Sequence, residues 1–158
     1  MASNPCDLVT LPRAVKKELA YLTFEQAQHL LEVAKNHTLE YLFATAVITG
    51  MRLGELQALR WSDIDFAQAT MHVTRSLSYR DPDGTGYTYE EEEPKTASSQ
   101  RTIPLPGFLI EFLQHHRIRQ LERRLQAAGW EDKGLVFPNT KGGYLWANLM
   151  REQFGKLL

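Results

Sequence analysis

Thr49-Gly50-Met51-Arg52-Leu53-Gly54-Glu55-Leu56-Gln57-Ala58-Leu59-Arg60-Trp61-Ser62-Asp63-Ile64-Asp65 is the stretch on which the reading of the fold turns. Before it, Leu39, Leu42, Phe43, Ala46 and Val47 keep the spacing of one helix. Gly50 supplies the positive φ that commonly ends a helix. After it, Leu53, Leu56 and Leu59 recur at three-residue steps, so a second helix starts near Arg52. An arginine at a helix entry stands at the positive end of the dipole, which favours acids or bound anions. It fits there when an anion sits between it and the free backbone N–H groups. Glu55, three residues on, shares its face and can hold the guanidinium in one pose. Chemistry alone leaves two readings: a surface ion pair of little consequence, or a grip for an anion.

Outward from this pivot the chain reads as one domain of ordinary composition. Its 158 residues suffice for a core, and 43% hydrophobic with 23% charged residues is the balance of a globular protein. No apolar run approaches the roughly 18 residues of a membrane span. Asn4, Pro5, Cys6 and Asp7 interrupt any signal-peptide pattern at the start. The single cysteine, Cys6, excludes an internal disulfide and suits a cytoplasmic setting. The net charge of −1 does not announce a nucleic-acid binder. It hides local concentrations, however. Glu90 to Glu93 form an acidic run, while Arg13, Lys16 and Lys17, and later Arg117, Arg119, Arg123 and Arg124, form basic clusters. A DNA face built from patches and plain solvated faces are both compatible with these counts.

Residues 1–20 read as a linker, broken at Asn4-Pro5 and Leu11-Pro12. Thr23 and Gln26 predict a capping box opening the first helix, with Phe24, Ala27, Leu30, Leu31 and Ala34 buried and His29 and His37 outside that stripe. Strands are predicted over 70–79, 87–93 and 101–105, with a turn at Asp81 to Gly86 and a polar tip at Lys95 to Gln100. The four glutamates mark the middle strand as an exposed edge. A long helix is expected from Pro106 to Gly129, with Phe108, Leu109, Phe112, Leu113, Leu121 and Leu125 on its apolar side. Leu135 to Pro138 reads as extended, Lys141-Gly142-Gly143 as a turn, and a last helix runs from Trp146 through Met150, Phe154 and Leu157. The expected class is α+β, mainly α, with a small three-stranded antiparallel sheet inserted into a helical domain.

The wording of two stretches carries a resemblance. Thr-Gly-Met-Arg-Leu-Gly-Glu-Leu at 49–56, then Leu-Arg-Trp-Ser-Asp-Ile-Asp at 59–65, closely resembles the first active-site box of tyrosine recombinases of the phage integrase type. Pro94-Lys95-Thr96-Ala97-Ser98-Ser99-Gln100-Arg101-Thr102-Ile103-Pro104-Leu105 is similar to that family's second signature, Lys-Thr followed by Arg-x-Ile-Pro-Leu. The resemblance implies a site-specific DNA recombinase, or integrase, that breaks and rejoins double-stranded DNA through a 3′-phosphotyrosyl intermediate. Arg52 would neutralise the phosphate, its planar fork binding two oxygens at once. Glu55 would orient it. Lys95, which spacing alone leaves as an ordinary solvated lysine, would protonate the leaving 5′ oxygen from a β-turn, its pKa lowered by neighbouring positive charge. Thr96 and Arg101 are assigned to DNA contact, with Arg101 anchoring either the strand or a backbone phosphate.

The family also requires a His-x-x-Arg box followed by a nucleophilic tyrosine. His116-Arg117-Ile118-Arg119 matches the box literally but falls inside the long helix, ahead of the stretch that normally precedes the true box. It is read as helix surface, and Tyr144, in a Gly-Gly turn, as a packing residue at a helix entry. Residues 21–158 are therefore expected to be part of an integrase catalytic domain. Residues 1–20 would link it to an N-terminal DNA-binding domain absent from this sequence, and the chain alone would not cleave DNA. The resemblance implies no metal or nucleotide cofactor, a bacterial or phage-encoded cytoplasmic protein, and other recombinase protomers as partners of the full-length protein. The alternative is a non-catalytic DNA-binding or regulatory relic of the same fold.

Overall fold

A computed structural model of the chain describes residues 21–80, 88–92 and 100–157. The predicted linker at 1–20, including Cys6, Arg13, Lys16 and Lys17, and the tip bearing Lys95 and Thr96 lie outside them. The described residues form five helices and five strands. Helix α1 spans Phe24–Val33, α2 Glu40–Thr49 and α3 Leu53–Ala58. Strands follow as β1 (Ile64–Asp65), β2 (Thr70–Val73), β3 (Ser76–Arg80), β4 (Thr88–Glu92) and β5 (Arg101–Pro104). Helix α4 spans Gly107–Gln126 and α5 Ala147–Leu157.

The predicted capping box opens α1. Thr23 N–H donates to Gln26 Oε1 at 2.8 Å and Gln26 N–H to Thr23 Oγ1 at 3.2 Å. Leu30 and Ala34 are sealed in the core, as the stripe predicts, but Phe24 is 73% exposed. It sits in the first turn of the helix. Gly50 closes α2 at φ 63°, and its N–H donates to the Ala46 carbonyl at 3.0 Å. Arg52 is the N-cap of α3, with extended backbone at φ −69° and ψ 154°.

The three strands expected to form one sheet are divided between two, and β1 completes the three-stranded one in place of β4. The run predicted as a single strand over 70–79 breaks at Thr74–Arg75, and its halves join different sheets. β2 lies between β1 and β5 in a three-stranded antiparallel sheet, with Met71 opposite Ile64 and Ile103. β3 pairs only with β4, Leu77 opposite Glu91 and Tyr79 opposite Tyr89. At the break, Arg75 Nη1 donates to Asp63 Oδ2 at 2.7 Å, so this residue pairs with the turn before β1 and adds nothing to the apolar face of either sheet. Alternation within each half is as read, with Met71, Val73 and Leu77 buried.

One core joins these pieces. Leu42, Phe43, Leu56, Leu59, Met71, Leu109, Leu113, Val136 and Met150 meet in it. On α4 the buried stripe is Leu109, Leu113, His116 and Gln120, while Phe108, Leu121 and Leu125 are exposed. His116, read as helix surface, is thus only 4% exposed. Two polar residues hold this stripe because they meet the extended chain at 135–137. His116 Nε2 donates to the Val136 carbonyl at 2.7 Å, and Gln120 Nε2 donates to the Leu135 and Val136 carbonyls at 3.0 and 3.1 Å. Gln120 Oε1 accepts the Trp61 indole N–H at 2.6 Å.

Candidate functional site

Glu55 is the hub of the site. Its carboxylate is 5% exposed and accepts four hydrogen bonds. Oε2 takes the Arg52 backbone N–H at 2.8 Å and Arg101 Nη2 at 2.8 Å. Oε1 takes Arg101 Nη1 at 2.9 Å and Arg52 Nη1 at 3.2 Å. The sequence paired Glu55 with Arg52, and that pair forms. The stronger partner is Arg101, which grips the carboxylate with both arms of its fork. Burial acts to raise the Glu55 pKa, but the bonds from Arg101 and from Arg52 outweigh it, so the carboxyl stays below its ordinary value. The same bonds hold Arg101 above the usual arginine value.

This sharing leaves the two guanidiniums in different states. The Arg101 side chain is 33% exposed and tied down at two nitrogens. The Arg52 side chain is 77% exposed and touches Glu55 with one nitrogen, so most of its fork faces outward. It does so at the entry of α3, beside backbone N–H groups that have no partner within the helix. An anion placed there would meet a fork held by a buried carboxylate, with a second cation behind it. Helix α3 is held close to β3: a Cβ on Gly54 would lie 2.6 Å from both the Leu77 carbonyl and Ser76 Oγ. Only glycine allows that approach, which fixes the α3 entry against the sheets.

The two-stranded ribbon β3–β4 is tied to the body by a second acid. Glu91 accepts both Arg60 Nη2 contacts, at 2.8 and 2.9 Å, and the Tyr144 hydroxyl at 2.7 Å. Glu90 and Glu92 both pair with Arg80. The acidic run is therefore largely offset by arginines of the same fold. Tyr79, Tyr89, Tyr144 and Trp146 pack around the ribbon in tilted and edge-on pairs with ring centroids 5.2–6.0 Å apart. Burial and the Glu91 carboxylate push the Tyr144 hydroxyl up to about 12, the reverse of an activated nucleophile. Its packing role at the α5 entry is what the sequence expects. The Glu91 anchor has no sequence signal beyond a tyrosine and an arginine far apart in the chain.

Of the predicted site residues, the fold brings Arg52, Glu55 and Arg101 together. Lys95 and Thr96 lie outside the described residues. Among the described residues, no three His, Cys, Asp or Glu side chains are grouped to hold a metal ion, and no helix is long and apolar enough to cross a membrane.

Fold and site define a class: a helix-rich α+β domain with small antiparallel sheets, presenting an arginine at a helix entry over a shared buried carboxylate. The phage integrase family model matches residues 20–158. A tyrosine recombinase XerC-like protein of Caldanaerobacter subterraneus subsp. tengcongensis is 34% identical, over 100% of this chain and 44% of its own length. An integrase of Streptomyces ambofaciens is 32% identical over 87% of this chain and 35% of its own length. The Tn1549 transposon integrase in complex with transposon right end DNA superimposes with a TM-score of 0.69 at 26% identity, over 99% of this chain and 50% of that one. XerA recombinase shares the fold, with a TM-score of 0.60 at 21% identity over 94% of this chain and 44% of that one. The chain belongs to the phage integrase family, and its fold is that of a tyrosine recombinase catalytic domain. It spans half or less of the length of these relatives.

Proposed function

We propose that residues 21–158 are part of the catalytic domain of a site-specific DNA recombinase, and that Arg52 grips the phosphate at which the DNA is cut. The observation that carries this is the outward-facing Arg52 fork at the α3 entry, held from behind by Glu55. Charge fixed in place before the reaction commonly does most to stabilise a phosphoryl transition state. Glu55 positions Arg52, and Arg101 acts through Glu55. Lys95 belongs to the segment joining β4 to β5, and protonation of the leaving 5′ oxygen is its role by resemblance. Thr96 contacts DNA in the same segment.

The reaction attributed to the whole protein forms a bond between a tyrosine oxygen and phosphorus while the bond to the 5′ oxygen breaks. The proton then passes to the departing oxygen, and the phosphotyrosyl link stores the energy for rejoining. In this chain the Tyr144 hydroxyl donates to Glu91 and is pushed up to about 12, the reverse of an activated nucleophile. The 158-residue chain therefore binds duplex DNA without cutting it. The cytoplasm of a bacterial host is the compartment, and further protomers join on the DNA.

The test is fluorescence anisotropy with a labelled duplex, paired with a denaturing gel for covalent adducts. The expected result is reversible binding, no adduct, and about a tenfold or greater loss of affinity in Arg52→Gln. Unchanged affinity in a folded Arg52→Gln protein refutes the phosphate role, and an adduct refutes the inactivity of the chain.

A further inference from the structure

A second basic site lies beneath the latter half of α4, sharing no residue with Arg52, Glu55 and Arg101. Three cavities of about 460, 330 and 20 Å³ are each lined by Thr38 and Arg123. They adjoin along the α1–α2 connection, α4 and the turn at 138–146. The two larger ones fall in the size range of small-molecule sites.

The charge in this groove is one-sided. Arg119 and Arg123 stand four residues apart on α4, a spacing at which like charges repel. Arg123 Nε donates to the Arg119 carbonyl at 3.4 Å, and the Arg119 guanidinium lies 5.9 Å from the Tyr41 ring centroid. Among the described residues, neither guanidinium reaches a carboxylate within ion-pair distance. Arg123 is exposed as a residue, and partial desolvation of its guanidinium together with the neighbouring Arg119 holds it below the usual arginine value. Lys141 lines the largest cavity, and Glu122, lining the middle one, is the one carboxylate among the lining residues. The smallest cavity reaches His116, whose Nδ1 is buried and has no hydrogen-bond partner. That atom is an acceptor, because Nε2 carries the proton given to the Val136 carbonyl. The two guanidiniums meet at the middle cavity and Lys141 lines the adjoining one, against the single carboxylate of Glu122, while the His116 acceptor, which offers an anion nothing, lines only the smallest cavity.

We infer that this groove is an anion site that takes a phosphate group, held by Arg123 and Arg119 with Lys141 closing one side. One guanidinium fork satisfies a carboxylate. Two forks and an ammonium match a tetrahedral oxyanion with more than one charge. The contact chemistry is the same for a free phosphorylated small molecule and for a nucleic-acid backbone. The inference does not rest on the role given to Arg52.

Calorimetric titration with inorganic phosphate at constant ionic strength tests it, using the 158-residue protein carrying Arg52→Gln so that the other phosphate-binding arginine is absent. Saturable binding is expected, weakened about tenfold or more by adding Arg123→Gln or Arg119→Gln and partly kept by Arg123→Lys. A parallel titration with duplex DNA separates the sources. Loss of duplex affinity in Arg123→Gln, with a salt slope lower by about one, assigns the phosphate to the DNA backbone. Unchanged duplex affinity alongside lost phosphate binding assigns it to a free ligand. No saturable phosphate binding, or equal binding in folded Arg123→Gln and Arg119→Gln proteins, overturns the inference. Circular dichroism checks the fold of each variant.

Discussion

At the scale of single residues, two buried ionisable groups both cost stability as pH falls, one as an anion that must be protonated and the other as a neutral ring that must be charged. Glu55 is ionised and its folded pKa lies below the ordinary 4.5. Its contribution is present above that value and lost as pH falls through the folded one. Glu55→Gln leaves Arg101 half-buried without a charged partner, so a loss of about 1–3 kcal/mol is expected at neutral pH. Urea unfolding at pH 7 should show this gap, and the gap should close well below pH 4.5. His116 behaves in the reverse sense from a paired histidine. Burial in an aromatic setting holds it down at about 4, against an ordinary 6.5, with Arg123 and Arg119 adding to the shift. The unfolded chain binds the proton first, so stability falls as pH drops from about 6.5 to 4, by about 3 kcal/mol in all. His116→Phe should flatten that acid slope, and Gln120 still serves the Val136 carbonyl in the variant. Equal slopes in wild type and variant would show that His116 is not the group being titrated. Arg52 and Glu55 were legible because three-residue spacing at a helix entry is a local signal. The grip of Arg101 on Glu55 crosses 46 residues of sequence, and no spacing rule reaches that far.

At the scale of elements, the helices were readable and the strands were readable only in part. Thr23–Gln26, Gly50 and Pro106 are local start and stop signals, and the helices begin and end beside them. In the run at 70–79, Met71, Val73, Leu77 and Tyr79 keep one parity and charged Arg75 interrupts it, which marks the break locally, while the pairing of Arg75 with Asp63 twelve residues away has no spacing signal. The apolar stripe of α4 departs from the expectation at Phe108, which is exposed in the first turn, and again beyond Leu113. Polar His116 and Gln120 are buried because carbonyls at 135 and 136 come to meet them, while Leu121 and Leu125 are left outside. Two predictions belong here. Gly54→Ala would drive a methyl group against the Leu77 carbonyl, so α3 must shift from β3. A loss of about 1–3 kcal/mol in denaturant unfolding is expected, with weaker DNA binding because the Arg52 entry moves with the helix. Tyr144→Phe removes one of the bonds to Glu91 and leaves the Arg60 pair in place. Amide hydrogen exchange should then quicken within β3 and β4 while the midpoint of global unfolding barely moves. Uniform quickening across the chain would mean that the ribbon and the body open together.

At the scale of the whole molecule, net charge and binding charge are separate quantities. The sum of −1 gives little long-range pull on DNA, so association should proceed without strong electrostatic steering. The equilibrium salt dependence has another origin. It counts the phosphates neutralised at the interface, because each one releases condensed counterions. In this fold the acids near the ribbon are paired internally: Glu91 with Arg60, and Glu90 and Glu92 with Arg80. Arg52, by contrast, spends one nitrogen on Glu55 and keeps the rest of its fork outward. A protein of this charge should therefore show a clear negative slope of log affinity against log salt, despite its near-neutral total. Each phosphate contact contributes about 0.9 to that slope, so Arg52→Gln should lower its magnitude by about one. The reading is specific, because a substitution that merely loosened the fold would weaken binding without removing one phosphate from the count. An Arg52→Gln protein that binds less tightly at every salt concentration with an unchanged slope would place Arg52 behind the interface, holding Glu55 and Arg101 rather than the DNA.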